Sequence, residues 1–436
     1  MNGTTVCPDF AIEINWERLD RGPAEERATF GAIGIRVDGA WLTEAHDAFA
    51  RRVRQKVHLS GYSLAQWLAW NWWRLRWEPR RRSLGWAMAH RFTSIGGGYI
   101  WPNVDCDTDG ERVLLHASPA RPRASEPLRY VADQSSVLSV AQLETGVEAF
   151  VALVVDKLRD EGIGGSNLEG IWNAVCEERE DSEAVWYRRI EASMGFDPDE
   201  ADERLVSALN DEVGVLGKSA IAELAADAPR EVTRLNAKEL RKLATSTGHE
   251  ADLTSIPRLP VDALEMEVGV DQAWEVGEEA ARLLRKSEGL GDGPVSNQRL
   301  AELAGTSPDV LQADGSMAPF SFQLAGDGPS VRVVLQSPIE TSRRFALARL
   351  VGDRLLETAG EPLVPIMRSY TYRQKVQRAF GAELLLPLDT LVREFDDDLS
   401  DENQERIAAQ HIVSPMLVAT KLANSGLVDR QTLERF

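Results

Sequence analysis

Nine of the twelve tryptophans in this 436-residue chain fall within the first 101 residues, and five of them lie in one stretch, residues 63–77, SLAQWLAWNWWRLRW. An indole removes roughly 150–250 Å² from water when it is buried, so this density requires a core at the N-terminal end. Leu64, Trp67, Leu68 and Leu75 recur at helical spacing. Trp70, Trp72, Trp73 and Trp77 widen the apolar surface to nearly the full circumference. An all-round apolar helix is a buried one. Ahead of it, residues 28–37 read as a strand, and Asp38-Gly39 followed by Ala40-Trp41-Leu42-Thr43 reads as a hairpin. After Gly96-Gly97-Gly98, strands are expected at 99–104 and 112–116, with a turn at Asp109-Gly110. The pattern predicts a Trp-rich α+β module over 1–125, closed by a Pro/Arg/Ser linker near 119–127.

Residues 126–290 read differently. Helical periodicity is expected at 140–159, 183–194, 199–213, 219–226, 237–244 and 272–286, with no strand pattern after 137 and no fixed-period repeat. Asp197-Pro198 suits the start of the third of these helices. Beyond the glycine-rich linker 289–293, the order is a short helix at 297–303, a strand at 331–335, helices at 342–359 and 372–385, and a final pair at 402–410 and 415–424. The expected class is α+β and multidomain, divided 1–125, 126–290 and 291–436: a Trp-rich module, a helical middle and a mostly α C-terminal domain.

The bulk numbers suit a folded chain, with 43% hydrophobic and 27% charged residues. A net charge of −20 opposes wholesale binding to nucleic acid or anionic membrane. No apolar run approaches the roughly 18 residues that span a bilayer, and residues 1–20 lack a secretory signal pattern. Cys7, Cys106 and Cys176 are widely spaced, without a CxxC, which suits free thiols in a reducing compartment. A cytoplasmic protein is expected. None of the six histidines begins an HExxH; His249-Glu250 is followed by Leu253 where a second histidine would stand.

The last third carries a more specific pattern. Arg344-Phe345-Ala346-Leu347-Ala348 enters a helix just after a strand, Phe380-Gly381-Ala382-Glu383-Leu384-Leu385-Leu386-Pro387 follows, and residues 407–427 form a helix-turn-helix-like tail. Together, over about 290–430, these resemble the ImmA/IrrE metallopeptidase family: the run before its HExGH zinc helix, its FAAELLMP box and its tail. The resemblance implies a zincin-like C-terminal domain. It also places Arg349 at the first zinc histidine, Leu350 at the catalytic glutamate, Gly352 at the conserved glycine and Asp353 at the second histidine. Gln374 and Val376 are the nearest matches to the third, acidic ligand.

An active site of that kind needs two imidazoles one helical turn apart and a carboxylate to take a proton from metal-bound water. A guanidinium repels Zn²⁺ and offers no lone pair, Leu350 cannot take a proton, and Asp353 is one ligand of three. The expectation is therefore a degenerate member with no catalytic residue, no metal and no cofactor. Arg349 and Asp353, at i and i+4, are expected to form an intrahelical ion pair instead. An ordinary amphipathic helix leads to the same catalytic conclusion.

Such proteins commonly cleave or control regulators in mobile elements and in stress or phage-defence circuits. The resemblance implies a regulatory protein that binds a protein partner in the disused groove. A competing reading is a nucleic-acid-associated regulator. Residues 51–91 carry ten Arg or Lys against Glu78 alone, a local balance of +9, and Arg74, Arg76, Arg80, Arg81 and Arg82 lie among the tryptophans, a combination that suits phosphates and bases. Equally, tryptophan can form a core whose rim arginine covers. The tail helix 415–424 has Lys421 as its only cation, poor equipment for DNA. Hydrolysis at an unrecognised N-terminal site is a third reading; no GxSxG or Walker pattern supports it. The sequence does not fix an oligomeric state.

Overall fold

The computed structural model describes residues 10–122, 127–227, 236–257, 259, 272–313, 317–326, 330–356, 360–396, 398 and 400–428. The chain divides into two compact units, Met1–Val206 and Ser207–Phe436. Both mix helices with antiparallel sheets, so the fold is α+β and multidomain.

In the first unit the elements run β1 (Phe10–Trp16), α1 (Ala24–Thr29), β2 (Phe30–Val37), β3 (Ala40–Trp41), β4 (Ala45–Asp47), β5 (Arg52–Arg54) and β6 (Val57–Ser60). β2 pairs with β1, β3 and β6. Asp38 and Gly39 both take left-handed φ, 48° and 83°, as a two-residue hairpin turn requires. The expected strand at 28–37 begins two residues late because α1 runs to Thr29, whose hydroxyl donates to Glu25 O.

The tryptophan stretch then forms two helices, α2 (Gly61–Trp70) and α3 (Trp72–Trp77), where one was expected. Asn71 breaks the run by turning its amide back onto Trp67 O at 2.8 Å, competing with the helical pattern. Trp72 and Trp73 are buried, but Trp70 is 51% exposed, so the circumference is not uniformly covered.

α4 (Leu84–His90) follows, then β7 (Val104–Thr108), β8 (Arg112–Ala117), β9 (Leu128–Tyr130) and β10 (Gln134–Ser139). The strand expected at 99–104 thus starts where that range ends, since the Trp101 indole donates back to Gly96 O and holds 99–103 irregular. Two further sheets result, in the orders β10-β8-β7 and β5-β4-β9. β10 overruns the point after which no strand was expected.

α5 (Val140–Asp160) begins on a capping box, Ser139 with Gln142. Its Gly146 lets it lie on β1, for a Cβ there would stand 2.3 Å from Phe10 Cδ1. α6 (Asn167–Glu180) was not foreseen; its signal is Ser166 followed by Glu169, and Ser166 Oγ accepts from Glu169 N. α7 (Ser182–Met194) ends on left-handed Gly195. The core joins Ile33, Ile35, Leu64, Trp72 and Trp73 to Phe150, Val151 and Trp172. Helices expected in a separate middle region therefore complete the N-terminal core.

α8 (Glu203–Asp211) starts later than expected, because Asp197 accepts from Arg74 instead of capping a helix. Next come α9 (Val213–Leu216), α10 (Lys218–Asp227), α11 (Ala237–Thr247), β11 (His249–Asp252), α12 (Ala273–Ser287), α13 (Asn297–Leu303), β12 (Ser321–Ala325) and β13 (Ser330–Val334). They continue into α14 (Glu340–Leu356), β14 (Leu363–Ile366), α15 (Tyr372–Leu385), α16 (Leu388–Phe395), α17 (Asp401–His411) and α18 (Pro415–Asn424).

The second unit's sheet has the order β11-β13-β12-β14, all antiparallel. β11 comes from the stretch in which no strand was expected, and Ala280, Ala281 and Leu284 of α12 belong to the C-terminal core. The boundary expected at 290 therefore falls inside this unit. Among the described residues, no helix is long and apolar enough to cross a membrane.

Candidate functional site

α14 is built from good helix formers and is buried almost all round from Arg343 to Asp353. Leu347, Leu350 and Val351 enter the core, which leaves Leu350 no access to any reacting group. Two arginines precede them. Arg343 donates to Val310 O and Leu335 O, and Arg344 to Val295 O, Asn297 Oδ1 and Ile412 O. Arg344 thereby ties the helix-turn-helix-like tail and the entry to α13 onto α14.

α15 starts at Thr371, whose hydroxyl accepts from Gln374 N. It crosses α14 at close range through glycine. A Cβ on Gly352 would stand 2.4 Å from Phe380 Cδ1, and one on Gly381 3.1 Å from Arg349 Cγ. This contact brings Arg373, Gln374 and Gln377 of α15 onto Arg349 and Asp353 of α14.

The expected direct ion pair between Arg349 and Asp353 does not form. The Asp353 carboxylate is taken by Arg373 in a two-pronged pair, Nε to Oδ1 and Nη2 to Oδ2, each at 2.7 Å. Planar guanidinium–carboxylate pairing of this kind outcompetes a neighbour one turn away on the same helix. Arg349 Nη2 instead donates to Gln374 Oε1 at 2.6 Å, Met367 O at 3.0 Å and Gln377 Oε1 at 3.2 Å. Gln377 Nε2 returns to Asp353 Oδ1 at 2.6 Å.

Gln374 also closes a sheet edge. β14 lies at the end of the sheet, and Gln374 Oε1 accepts from Met367 N while its Nε2 donates to Pro365 O. One carboxamide thus supplies the acceptor and donor that a neighbouring strand would offer, a way of covering an exposed edge.

The cluster extends to α10 and the loop before β14. Arg373 Nη1 reaches Glu361 Oε2 at 3.3 Å, and Glu361 accepts from Ser219 N and Ala220 N at the start of α10. The Thr371 hydroxyl donates to Glu223 Oε2 at 2.7 Å.

Burial pulls the Arg349 guanidinium down to about 9, with Arg378 adding repulsion, while Glu223, Asp353 and Asp227 oppose the shift. It is still a cation at neutral pH. Burial pushes Glu223 up, against hydrogen bonds from Thr371 and Gln374 and the charge of Arg373. The result is a buried, cross-linked cluster with a positive charge at its centre. A guanidinium repels Zn²⁺ and has no lone pair to offer it. Among the described residues, no group of three or more His, Cys, Asp or Glu is arranged to hold a metal ion.

Of the residues singled out from the sequence, Arg349, Asp353 and Gln374 converge. Val376 turns its carbonyl to Gly277 of α12. Sequence reasoning missed Arg373, Gln377, Glu361 and Glu223. Arg373 and Gln377 form a polar i, i+1, i+4 set with Gln374, but Lys375, Arg378 and Glu383 on the same helix obscure it; the plainer signal was one glutamate inside Ile221-Ala222-Glu223-Leu224-Ala225.

The arginines proposed for nucleic acid are mostly engaged within the first unit. Arg74 is buried between Glu78 and Asp197, each at 2.8 Å. Arg76 pairs with Glu144 and lies over the Trp77 ring. Arg80 pairs with Asp107, and Arg81 donates to Ser193 O. Arg82 is exposed. His90, stacked on Trp86, bonds Glu78 Oε2 at 3.0 Å and Cys106 O at 2.8 Å. Burial would raise Glu78, but His90 and Arg74 hold it below the usual carboxylate range.

In the second unit, Lys421 of the tail is buried against Glu383 and turned away from any phosphate. His116 Nδ1 and Ser135 Oγ meet at 2.8 Å, but both are exposed on a sheet face, where nothing shields a reaction from water. Comparison with family models, with curated proteins and with solved structures finds no match to the chain.

Proposed function

We propose that the chain is a non-catalytic ImmA/IrrE-like regulatory protein that acts by binding a protein partner. One observation carries the reading: Arg349 and Asp353, one turn apart on α14, converge with Gln377 of α15. Two helical ligands and a third from the following helix would make the same triangle around a metal. Here cation, amide and carboxylate fill it. The disused positions are buried, and Gln374 occupies the edge of β14, so a partner segment cannot touch them. The partner then engages the outer surface of the unit rather than the groove the resemblance implies.

The test is metal analysis of tag-free, full-length protein together with a broad peptidase assay. The expected result is no stoichiometric zinc and no hydrolysis. About one zinc per chain, or cleavage lost on Asp353→Asn, overturns the reading. Affinity capture from the native host, repeated with outer-surface variants of the C-terminal unit, then locates the partner.

A further inference from the structure

The hairpin between β4 and β5 projects from the first unit, with residues 48–53 all exposed. At its tip Phe49 is 88% exposed, far more than an aromatic ring placed for packing. Asp47 braces the turn: its Oδ1 accepts from Ala50 N at 2.8 Å and its Oδ2 pairs with Arg54 Nε at 2.7 Å. Lys56, just beyond, is taken by Glu13 at 2.8 Å. Arg51 and Arg52 are left at the tip with no carboxylate partner among the described residues, in a chain of net charge −20. An acidic protein thus holds a bare aromatic ring and two uncommitted guanidiniums on a braced turn.

We propose that this hairpin tip binds single-stranded nucleic acid, with Phe49 stacking on a base and Arg51 and Arg52 meeting the flanking phosphates. Every base offers a π face, so contact of this kind is sequence-tolerant. With two cations at the tip, the footprint is limited to a few nucleotides. An anionic membrane fits less well, because one aromatic side chain is marginal as an anchor. An acidic peptide would use the cations and leave the ring face idle. The inference rests on the hairpin alone and is independent of the C-terminal reading.

The test is fluorescence anisotropy of a labelled oligouridylate titrated with the full-length chain at low salt, repeated over a salt series. Two phosphate contacts predict a slope of log affinity on log salt of about −1.4. Phe49→Ala should weaken binding on the order of ten- to a hundredfold, and Phe49→Trp should retain it. Arg51→Gly with Arg52→Ser should abolish it; glycine suits the φ of 49° at Arg51. Near-UV circular dichroism verifies that each variant is folded. Absence of binding at the lowest salt, or equal binding by Phe49→Ala and wild type, overturns the proposal. So does a preference for phosphatidylserine vesicles or polyglutamate over the oligonucleotide.

Discussion

Gln377 stands between Arg349 and Asp353, accepting from the first at 3.2 Å through its amide oxygen and donating to the second at 2.6 Å through its amide nitrogen. The two charges on α14 are therefore coupled through a neutral relay, while Asp353 spends its charge on Arg373. This ordering can be measured. Asp353→Ala leaves the largely buried Arg373 guanidinium to its longer contact with Glu361, and breaking a buried pair from one side costs up to roughly 3–5 kcal/mol. A double-mutant cycle between Arg373 and Asp353 should show strong coupling by chemical denaturation. The cycle between Arg349 and Asp353 should show weak coupling that vanishes in a Gln377→Leu background. Equal coupling in both cycles would mean that the direct intrahelical pair forms after all.

The glycines at the helix crossings rank by what faces them. On α12, a Cβ at Gly277 would meet the Val376 carbonyl at 2.4 Å and Phe380 N at 2.8 Å, both backbone atoms of α15. At Gly381 the obstacles are side-chain atoms at tight range, Arg349 Cγ at 3.1 Å and Phe345 Cε2 at 3.2 Å, which need give by only a few tenths of an ångström. Overpacking costs typically about 1–3 kcal/mol. Gly277→Ala should reach or exceed the top of that range and Gly381→Ala should fall below it, both read from urea midpoints. The reverse order would show that the α12–α15 contact is looser than described.

How much of this was open to sequence reasoning depends on the range of the signal. Helices 297–303, 372–385 and 415–424 were placed to the residue, because each carries a local cap, Ser296, Thr371 or Ser414, ahead of its apolar pattern. The break at Asn71 was missed because one amide turning onto Trp67 O outweighs an apolar run, and composition does not register it. At the site, spacing alone put Arg349 and Asp353 on one helix. Their choice of partners depended on residues about twenty or more positions away on another helix, where Arg373 offered two parallel bonds and Gln377 an amide. The strands β10 and β11 escaped notice because they take their pairing from distant partners, β8 and β13, and their own residues, QSSVLS and HEAD, are mostly polar.

Two buried glutamates should respond to pH in opposite senses. Burial raises Glu223, so the folded unit holds its proton more tightly than the unfolded chain does. Stability from this group is then full below the ordinary carboxylate value of 4.5 and is lost as pH rises through the folded value. Glu223→Gln should stabilise the protein at neutral pH and flatten that slope. Glu78 lies below its ordinary value of 4.5, so its contribution is present above that value and is lost as pH falls through the folded one. Glu78→Gln should therefore destabilise at neutral pH. Urea midpoints between pH 4 and 8 separate the two, and a stabilising Glu78→Gln would refute the assignment of His90 and Arg74 as its partners.

Arg344 offers the sharpest test of how the tail is held. Its guanidinium is fully buried and touches no carboxylate; its bonds run to Val295 O, Asn297 Oδ1 and Ile412 O. Burial accordingly lowers it, with only Glu340 opposing at longer range. A rigid fork reaches three acceptors on two separate segments, whereas an ammonium on a shorter stem cannot. Arg344→Lys keeps the buried charge and orphans acceptors, each costing about 1–3 kcal/mol. Arg344→Met orphans the same acceptors without burying a charge. The lysine variant should therefore be no more stable than the methionine variant, and in both, limited proteolysis should open the chain near 412 before the core of the unit. A lysine variant with the wild-type midpoint would show that the position needs only a positive charge, and the stapling role of Arg344 would fall.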